Sequence, residues 1–589
     1  MSRNGIVKGG LLTATALTGV LGASLVAAPG ARAQDADAQI NSIERQIHAL
    51  QGQLSSMKHS LARRDAEIRA AREEAAAANR QALAISQRTT NGFGQPMAPQ
   101  PLSAPPGYQV NLGPRGTIPK YGPYVYVNGV PTPVLYPGPP LKHGQFKVGA
   151  VRVTLGGFVE AAGIFRSRNQ TADISSSFNG IPYANSPNYH TPEFRESDHQ
   201  SRLSILAEAK ADDVTELSFY YELDFQSAGA SSNSAESNSY TLRQRQIFAT
   251  YARKDWDFYM LGGQAWSLAT MYKTGLTPRK EDAPLTIDAS YVPGFVWTRN
   301  TQLRFVKGFN HDMFDLGVSF ESPEVNYYTG GNGTGSLNGT VLSTNPGGSG
   351  LNATANYSID VAPDVIVKGT ADPGWGHYEL FGLARFLHDR TTLAYPGNNG
   401  RNNTVLAGGG GAGMILPLLS HNRLDFQASG LVGEGIGRYG ASQLPDATFS
   451  QTGSLVPLPE VEALIGLTSD INKAIQLYGY VGTEQITQRK AFTERGKPYG
   501  YGSPLYSNAG CNIEQPTTSP LASPCVANTS GIVQGTVGAW WKFLKGDFGT
   551  MQTGVQYSYT RKNAFQGVGG APKTDSSMAF FSFRYYPFD

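Results

Sequence analysis

The last fourteen residues, Ser576–Asp589, read SSMAFFSFRYYPFD. Phe581, Phe583 and Tyr585 share one parity, so on an extended strand they stand on one face. Upstream, from about residue 145, the same alternation recurs in many short segments separated by turn residues, with no apolar run long enough for a spanning helix. Aromatic-rich, period-2 segments of this kind are the signature of a transmembrane β-barrel.

Composition agrees. Charged residues make up 16% of the chain, against roughly 25% in soluble domains. With a mean hydropathy of −0.29 the chain is too polar for a helical membrane protein. A barrel accounts for both values, because each strand gives one face to lipid and the other to water. An aromatic content of 11% argues against disorder over most of the length.

The N-terminus carries Arg3 and Lys8, an apolar stretch from Leu11 to about Ala28, and Ala31-Arg32-Ala33. This reads as a signal peptide over 1–33. Its removal takes three basic and no acidic residues, leaving a formally neutral protein, so the pI of about 8.5 carries no implication of nucleic-acid binding. In an exported chain Cys511 and Cys525, both in a Pro/Ser/Thr-rich segment, are expected to form a disulfide closing a loop.

Residues 34–88 read as a periplasmic coiled coil. Ile40, Ile47, Leu54, Leu61 and Ile68 fall at position a, and Ile43, Leu50 and Met57 at position d. Mixed Ile and Leu at both positions is compatible with a trimer. From 89 to 144 the chain turns to Pro and Gly, with thirteen prolines between Pro96 and Pro140, which predicts an extended connector. Within it Tyr124–Val127 alternates, and a solvated linker is the preferred reading.

The barrel is expected over 145–589. Leu217, Phe219, Tyr221, Leu223 and Phe225 oppose Glu216, Ser218, Tyr220, Glu222, Asp224 and Gln226 in its clearest strand. Counting such segments gives sixteen antiparallel strands, within about two, and a barrel of that size keeps an aqueous lumen. Short turns such as Ala211-Asp212-Asp213 alternate with long stretches at 167–199, 323–362, 435–457 and 488–529, read as surface loops.

No catalytic motif is found: the chain lacks G-x-S-x-G, H-E-x-x-H and G-x-x-x-x-G-K-[ST], and neither a metal nor a cofactor is expected. The glycine run Gly408–Gly411 reads as close backbone approach or a kink within a strand. The polar faces offer Arg202, Arg243, Arg245, Arg304 and Arg385, with Glu222 and Asp224 among the acidic counterparts, as candidate pore-lining residues. Arginines facing carboxylates across a pore set up a transverse field, and clustered arginine selects anions. Arg243 and Arg245 lie on one parity, opposite Leu242 and Phe248, and predict a positive ladder. The stretch from Ser267 to Pro293 holds Arg279, Lys280, Glu281 and Asp282. Two placements stand for it: folded inward to constrict the pore, or exposed on the surface.

Four stretches, LGGFVEAAGIF (Leu155–Phe165), SRLSILAEAK (Ser201–Lys210), ELDF (Glu222–Phe225) and LRQRQIFATYARKDWDFYMLGGQAWSL (Leu242–Leu268), resemble the DcaP-type trimeric porins of Gram-negative outer membranes, with phosphate-selective porins close by. The N-terminal coiled coil is also a family feature, whereas Asp589 after Phe588 departs from the usual aromatic C-terminus. The resemblance implies a homotrimer in outer-membrane lipid that passes small hydrophilic solutes by diffusion and favours anions such as carboxylates. The alternative is a structural tether, with the coiled coil reaching toward peptidoglycan and the barrel as its anchor. A barrel-embedded enzyme is disfavoured by the missing motifs.

Overall fold

The structure, a computed structural model, describes residues 141–589 apart from parts of the connections at 228–236, 311, 331–339, 348–355, 393–398, 420–423 and 515–522. It also describes Gln51 and two short strands, Tyr124–Val127 and Val130–Pro133. The expected signal peptide, coiled coil and most of the connector lie outside the described residues. The two short strands pair antiparallel, Tyr124 opposite Pro133 and Val127 opposite Val130, a hairpin within the stretch read as an extended connector.

The remainder is one closed antiparallel barrel of sixteen strands. In chain order these are β1 (Val151–Arg166), β2 (Arg202–Lys210), β3 (Thr215–Asp224), β4 (Arg243–Arg253), β5 (Phe258–Trp266), β6 (Arg299–Phe309), β7 (Phe314–Glu321) and β8 (Asp364–Ala371). They continue with β9 (His377–Thr392), β10 (Gly400–Pro417), β11 (Asp425–Glu434), β12 (Pro459–Asp470), β13 (Ile475–Ile486), β14 (Thr529–Gly546), β15 (Gly549–Ala564) and β16 (Lys573–Tyr586). Each pairs with its neighbours in sequence, and β16 closes on β1 with Tyr585 opposite Val159 and Arg584 opposite Glu160. Closure leaves no edge unpaired, which is the condition for strands to span a bilayer.

Alternation decides which way each side chain points. Val159, Phe165, Leu217, Phe219, Val537, Val555, Tyr557 and Phe581 stand exposed on the outer face, while Glu160, Ile164, Arg166, Glu222, Gln534, Ser558 and Ser582 are buried on the inner one. The terminal aromatics that open the sequence argument therefore belong to the lipid belt. At one end the strands meet through tight turns, such as 211–214, 254–257 and 471–474. At the other, long connections run between them.

The glycine run lies in β10. Gly408 has a φ of 128°, and a Cβ there would sit 2.0 Å from the Leu383 carbonyl oxygen on β9. Only glycine tolerates both the left-handed torsion and that contact.

Candidate functional site

The connection from β5 to β6, 267–298, turns into the barrel, so the inward placement is the observed one. Its root is tied by Ser267 N–H to the Thr298 carbonyl at 3.0 Å. Its first half is a small hairpin in which Asp282 N–H donates to the Met271 carbonyl at 2.7 Å and Lys273 N–H to that of Lys280 at 2.8 Å. The second half crosses to the opposite wall. There Ile287 N–H donates to Gln556 at 2.6 Å, Gly294 N–H to Glu484 at 2.8 Å, and Trp540 Nε1 to the Leu285 carbonyl at 2.8 Å. Two glycines make the approach possible. A Cβ on Gly482 would lie 1.9 Å from the Pro293 oxygen, and one on Gly294 would lie 2.1 Å from the Ala463 oxygen.

Of the four charged residues expected on this loop, Arg279 and Lys280 are exposed at the hairpin, and the Arg279 guanidinium lies 5.4 Å from the Tyr220 ring centroid. Glu281 and Asp282 are partly covered. Burial raises both carboxyls, that of Asp282 to about 6 against the pull of Lys273.

Two of the stretches expected on the surface also fold inward. Ile174, Phe178 and Ile181 of the first long connection, and Ile436, Tyr439 and Leu444 of 435–457, are buried. They pack with the constricting loop through Ala289 N–H to the Ile174 carbonyl and Trp297 N–H to the Tyr439 carbonyl, at 3.0 and 3.1 Å. Their apolar side chains, spaced among Gly, Ser and Asn, are buried against the loop and leave the water. In the fourth, 488–529, Cys511 and Cys525 are bonded to each other.

The arginine ladder is where the sequence reading needs its main correction. On β4 the outer face is carried by Ala249 and Tyr251, whereas Phe248, expected outside, is buried in a lumen-side cluster with Leu261 and Ala265. Strict alternation would therefore point Arg243 and Arg245 at lipid. The β3–β4 register slips here, from Glu222 opposite Gln246 to Leu223 opposite Gln244, leaving Arg245 as the extra residue of a bulge. A bulge re-aims the side chain it carries, and Arg245 turns inward. It bonds Glu222 at 3.1 Å and Asp224 at 2.8 Å, while Arg243 grips the two oxygens of Asp224 at 2.9 and 2.7 Å. Arg202 reaches Glu222 at 3.4 Å. The predicted ladder is thus a set of ion pairs.

Arg304 and Arg385, also expected along the pore, are fully buried. Arg304 holds the Trp266 carbonyl and the Tyr272 hydroxyl, fixing the root of the constricting loop. Arg385 bonds Asp364 at 3.1 Å and Asp446 at 2.6 Å beneath the 435–457 stretch. The inward loops seal both from the lumen.

Two arginines that sequence reasoning passed over complete the wall. Arg299 shares parity with the outward-facing Leu303, so alternation gave no reason to place it inside; it sits where β6 leaves the loop and the strand pattern ends. Its guanidinium stacks 4.6 Å from the Trp266 ring centroid and has no ion pair among the described residues. Arg438, from the 435–457 stretch, donates to Asn300 at 2.7 Å and lies 4.0 Å from Asp364. Arg243, Arg299 and Arg438 together line a cavity of about 250 Å³. Arg202, Arg243, Arg245 and Arg299 thus gather around two carboxylates, Glu222 and Asp224, an excess of two positive charges.

At the tight-turn end the lumen divides by charge. A cavity of about 350 Å³ is lined by Arg202, Lys542, Lys545 and Arg584, with Asp288 and Asp589. Its neighbour, about 460 Å³, is lined by Asp282, Asp372, Asp425 and Asp470, with Lys273 and His377. Both are bordered by Leu285 and Gln476.

A closed sixteen-stranded barrel with a loop folded into its lumen and charge sorted along its inner wall is the architecture of outer-membrane channels. The solved structures that resemble this chain are of that kind. The outer membrane channel DcaP of Acinetobacter baumannii superposes with a TM-score of 0.51 at 16% identity, over 76% of this chain and 100% of that one. The likeness establishes the fold. An anion-selective porin from Comamonas acidovorans matches more distantly, with a TM-score of 0.39 and 10% identity over 74% of this chain and 99% of that one. No protein-family model matches, and neither does any curated protein sequence.

Proposed function

We propose that the protein is an outer-membrane porin through which small hydrophilic solutes diffuse passively, with a preference for anions such as carboxylates. It works as a homotrimer, with the N-terminal coiled coil in the periplasm, and carries out no chemistry. The observation that supports the preference is the excess of positive charge on the arginine wall. Arg299 has no ion pair among the described residues, and it lines a cavity with Arg243 and Arg438. A guanidinium keeps its charge at any physiological pH and offers a planar fork that fits a carboxylate. At the tight-turn end the acidic cavity faces the basic one beside it, and the two set up a transverse field there, which orients a solute bearing both charge and dipole.

Reversal potentials across planar bilayers in asymmetric KCl test this reading. Permeation of chloride above potassium is expected. A protein that inserts and shows no conductance supports the tether, and cation preference removes the anion reading while leaving the porin.

A further inference from the structure

The hairpin of the constricting loop is held on the barrel wall by a continuous chain of charged groups. Lys368 Nζ on β8 donates to the Thr270 carbonyl at 2.8 Å and to Glu379 Oε1 at 2.7 Å. Glu379 Oε2 on β9 accepts from Tyr272 N–H at 3.2 Å and from His377 Nε2 at 3.3 Å. The other ring nitrogen of His377, Nδ1, lies 2.9 Å from Asp372 Oδ1, and Asp372 Oδ2 accepts from Gly275 N–H at 2.8 Å. Asp315 on β7 takes the next amide, Leu276 N–H, at 2.8 Å. Three wall carboxylates therefore accept hairpin amides at Tyr272, Gly275 and Leu276, and His377 is the link between two of them.

The chemistry of that link is narrow. An ionised carboxylate only accepts hydrogen bonds, so an imidazole between two of them satisfies both contacts only when both ring nitrogens carry hydrogen. His377 is buried but borders the 460 Å³ cavity of the tight-turn end, so protons reach it from the lumen. Every packed element contributes charge around it: Lys368 on β8, Glu379 on β9, Asp372 in the β8–β9 turn, Asp315 on β7, and Arg304 on β6 through Tyr272. The hairpin itself adds Lys273, Glu281 and Asp282, and across the cavity stand Asp425 on β11 and Asp470 on β12. When His377 loses one proton, one of its two carboxylate partners faces a ring lone pair, and the link opens on that side.

We propose that His377 is a proton-operated pin for the constricting hairpin: doubly protonated it ties Glu379 to Asp372 and holds the loop on the wall, and deprotonation releases the hairpin into the lumen. The proposal regulates the channel read above, and its test does not depend on conduction. A nitroxide on Lys280→Cys, at the exposed hairpin, reads loop motion directly, the two native cysteines being bonded to each other. In the refolded full-length barrel, titrated from pH 6 to pH 10, the mobile fraction is expected to rise reversibly by about tenfold, the scale set by loss of one charge-assisted hydrogen bond. His377→Gln, whose uncharged amide sets an acceptor oxygen where one of the two ring N–H groups stands, is expected to show the high mobile fraction at pH 7 and no further rise. A flat wild-type titration overturns the pin, and so does a His377→Gln protein that titrates as the wild type does. The wild-type arm needs no variant, so a misfolded substitution does not rescue the proposal. Should the label respond while planar bilayers show no current, the pin stands and the porin reading falls.

Discussion

Replacing Arg299 with glutamine removes an arginine of the wall that has no ion pair among the described residues. A monovalent ion passing roughly 6 Å from a unit charge gains or loses about 0.7 kcal/mol at the dielectric of water, which is about a threefold change in its local population. The change has opposite signs for anion and cation, so the anion-to-cation permeability ratio is expected to fall by about an order of magnitude. Reversal potentials at a tenfold KCl gradient measure it, with heat-modifiable gel migration confirming a folded barrel. Arg253→Gln is the control, because that side chain sits at a tight turn paired with Asp255 at 2.6 Å, and no change is expected. Salt should weaken the Arg299 effect, since the Debye length shrinks from about 10 Å at 0.1 M to about 3 Å at 1 M. A permeability ratio within twofold of the wild type at 0.1 M salt would falsify the assignment of Arg299 to the solute path.

Arg245→Ala leaves Glu222 and Asp224 buried with less compensation and is expected to destabilise the barrel by roughly 3–5 kcal/mol; urea unfolding in detergent reads it, and Glu222→Gln in the same chain should recover part of the loss. Gly482→Leu forces a side chain against Pro293 and should push the constricting loop off β13, changing single-channel conductance; an unchanged value would mean that the loop does not set the passage. Reduction of Cys511–Cys525, which closes a fourteen-residue separation, removes roughly 3 kcal/mol of loop-closure stabilisation. It should loosen 488–529 to proteolysis while the barrel keeps its heat-modifiable migration. Deletion of 37–88 should leave a folded barrel, because the strands close their own hydrogen bonds; trimer stability on native gels is the quantity expected to drop.

The sequence by itself determined the barrel, its sixteen strands and the two faces of its regularly alternating strands. Alternation is a local property, set by the pleat and repeated in every strand, so the Glu216–Gln226 segment and the terminal Phe581, Phe583 and Tyr585 declare their faces without reference to any partner. The tight turns and long connections were legible for the same reason. Tertiary structure alone decided the rest. Whether 267–293 lies outside or inside depends on Gly482, Gln556 and Trp540, which are some two hundred residues or more away in sequence. The charge of the wall depends on a one-residue slip between β3 and β4, which turns Arg245 from the lipid side to the lumen and pairs it with Glu222 and Asp224. Arg299 was invisible because it sits where the strand pattern stops. A period-2 rule reads the direction of a side chain from its own strand, whereas a bulge, an inward loop and an ion pair are settled by what the barrel brings against it once closed.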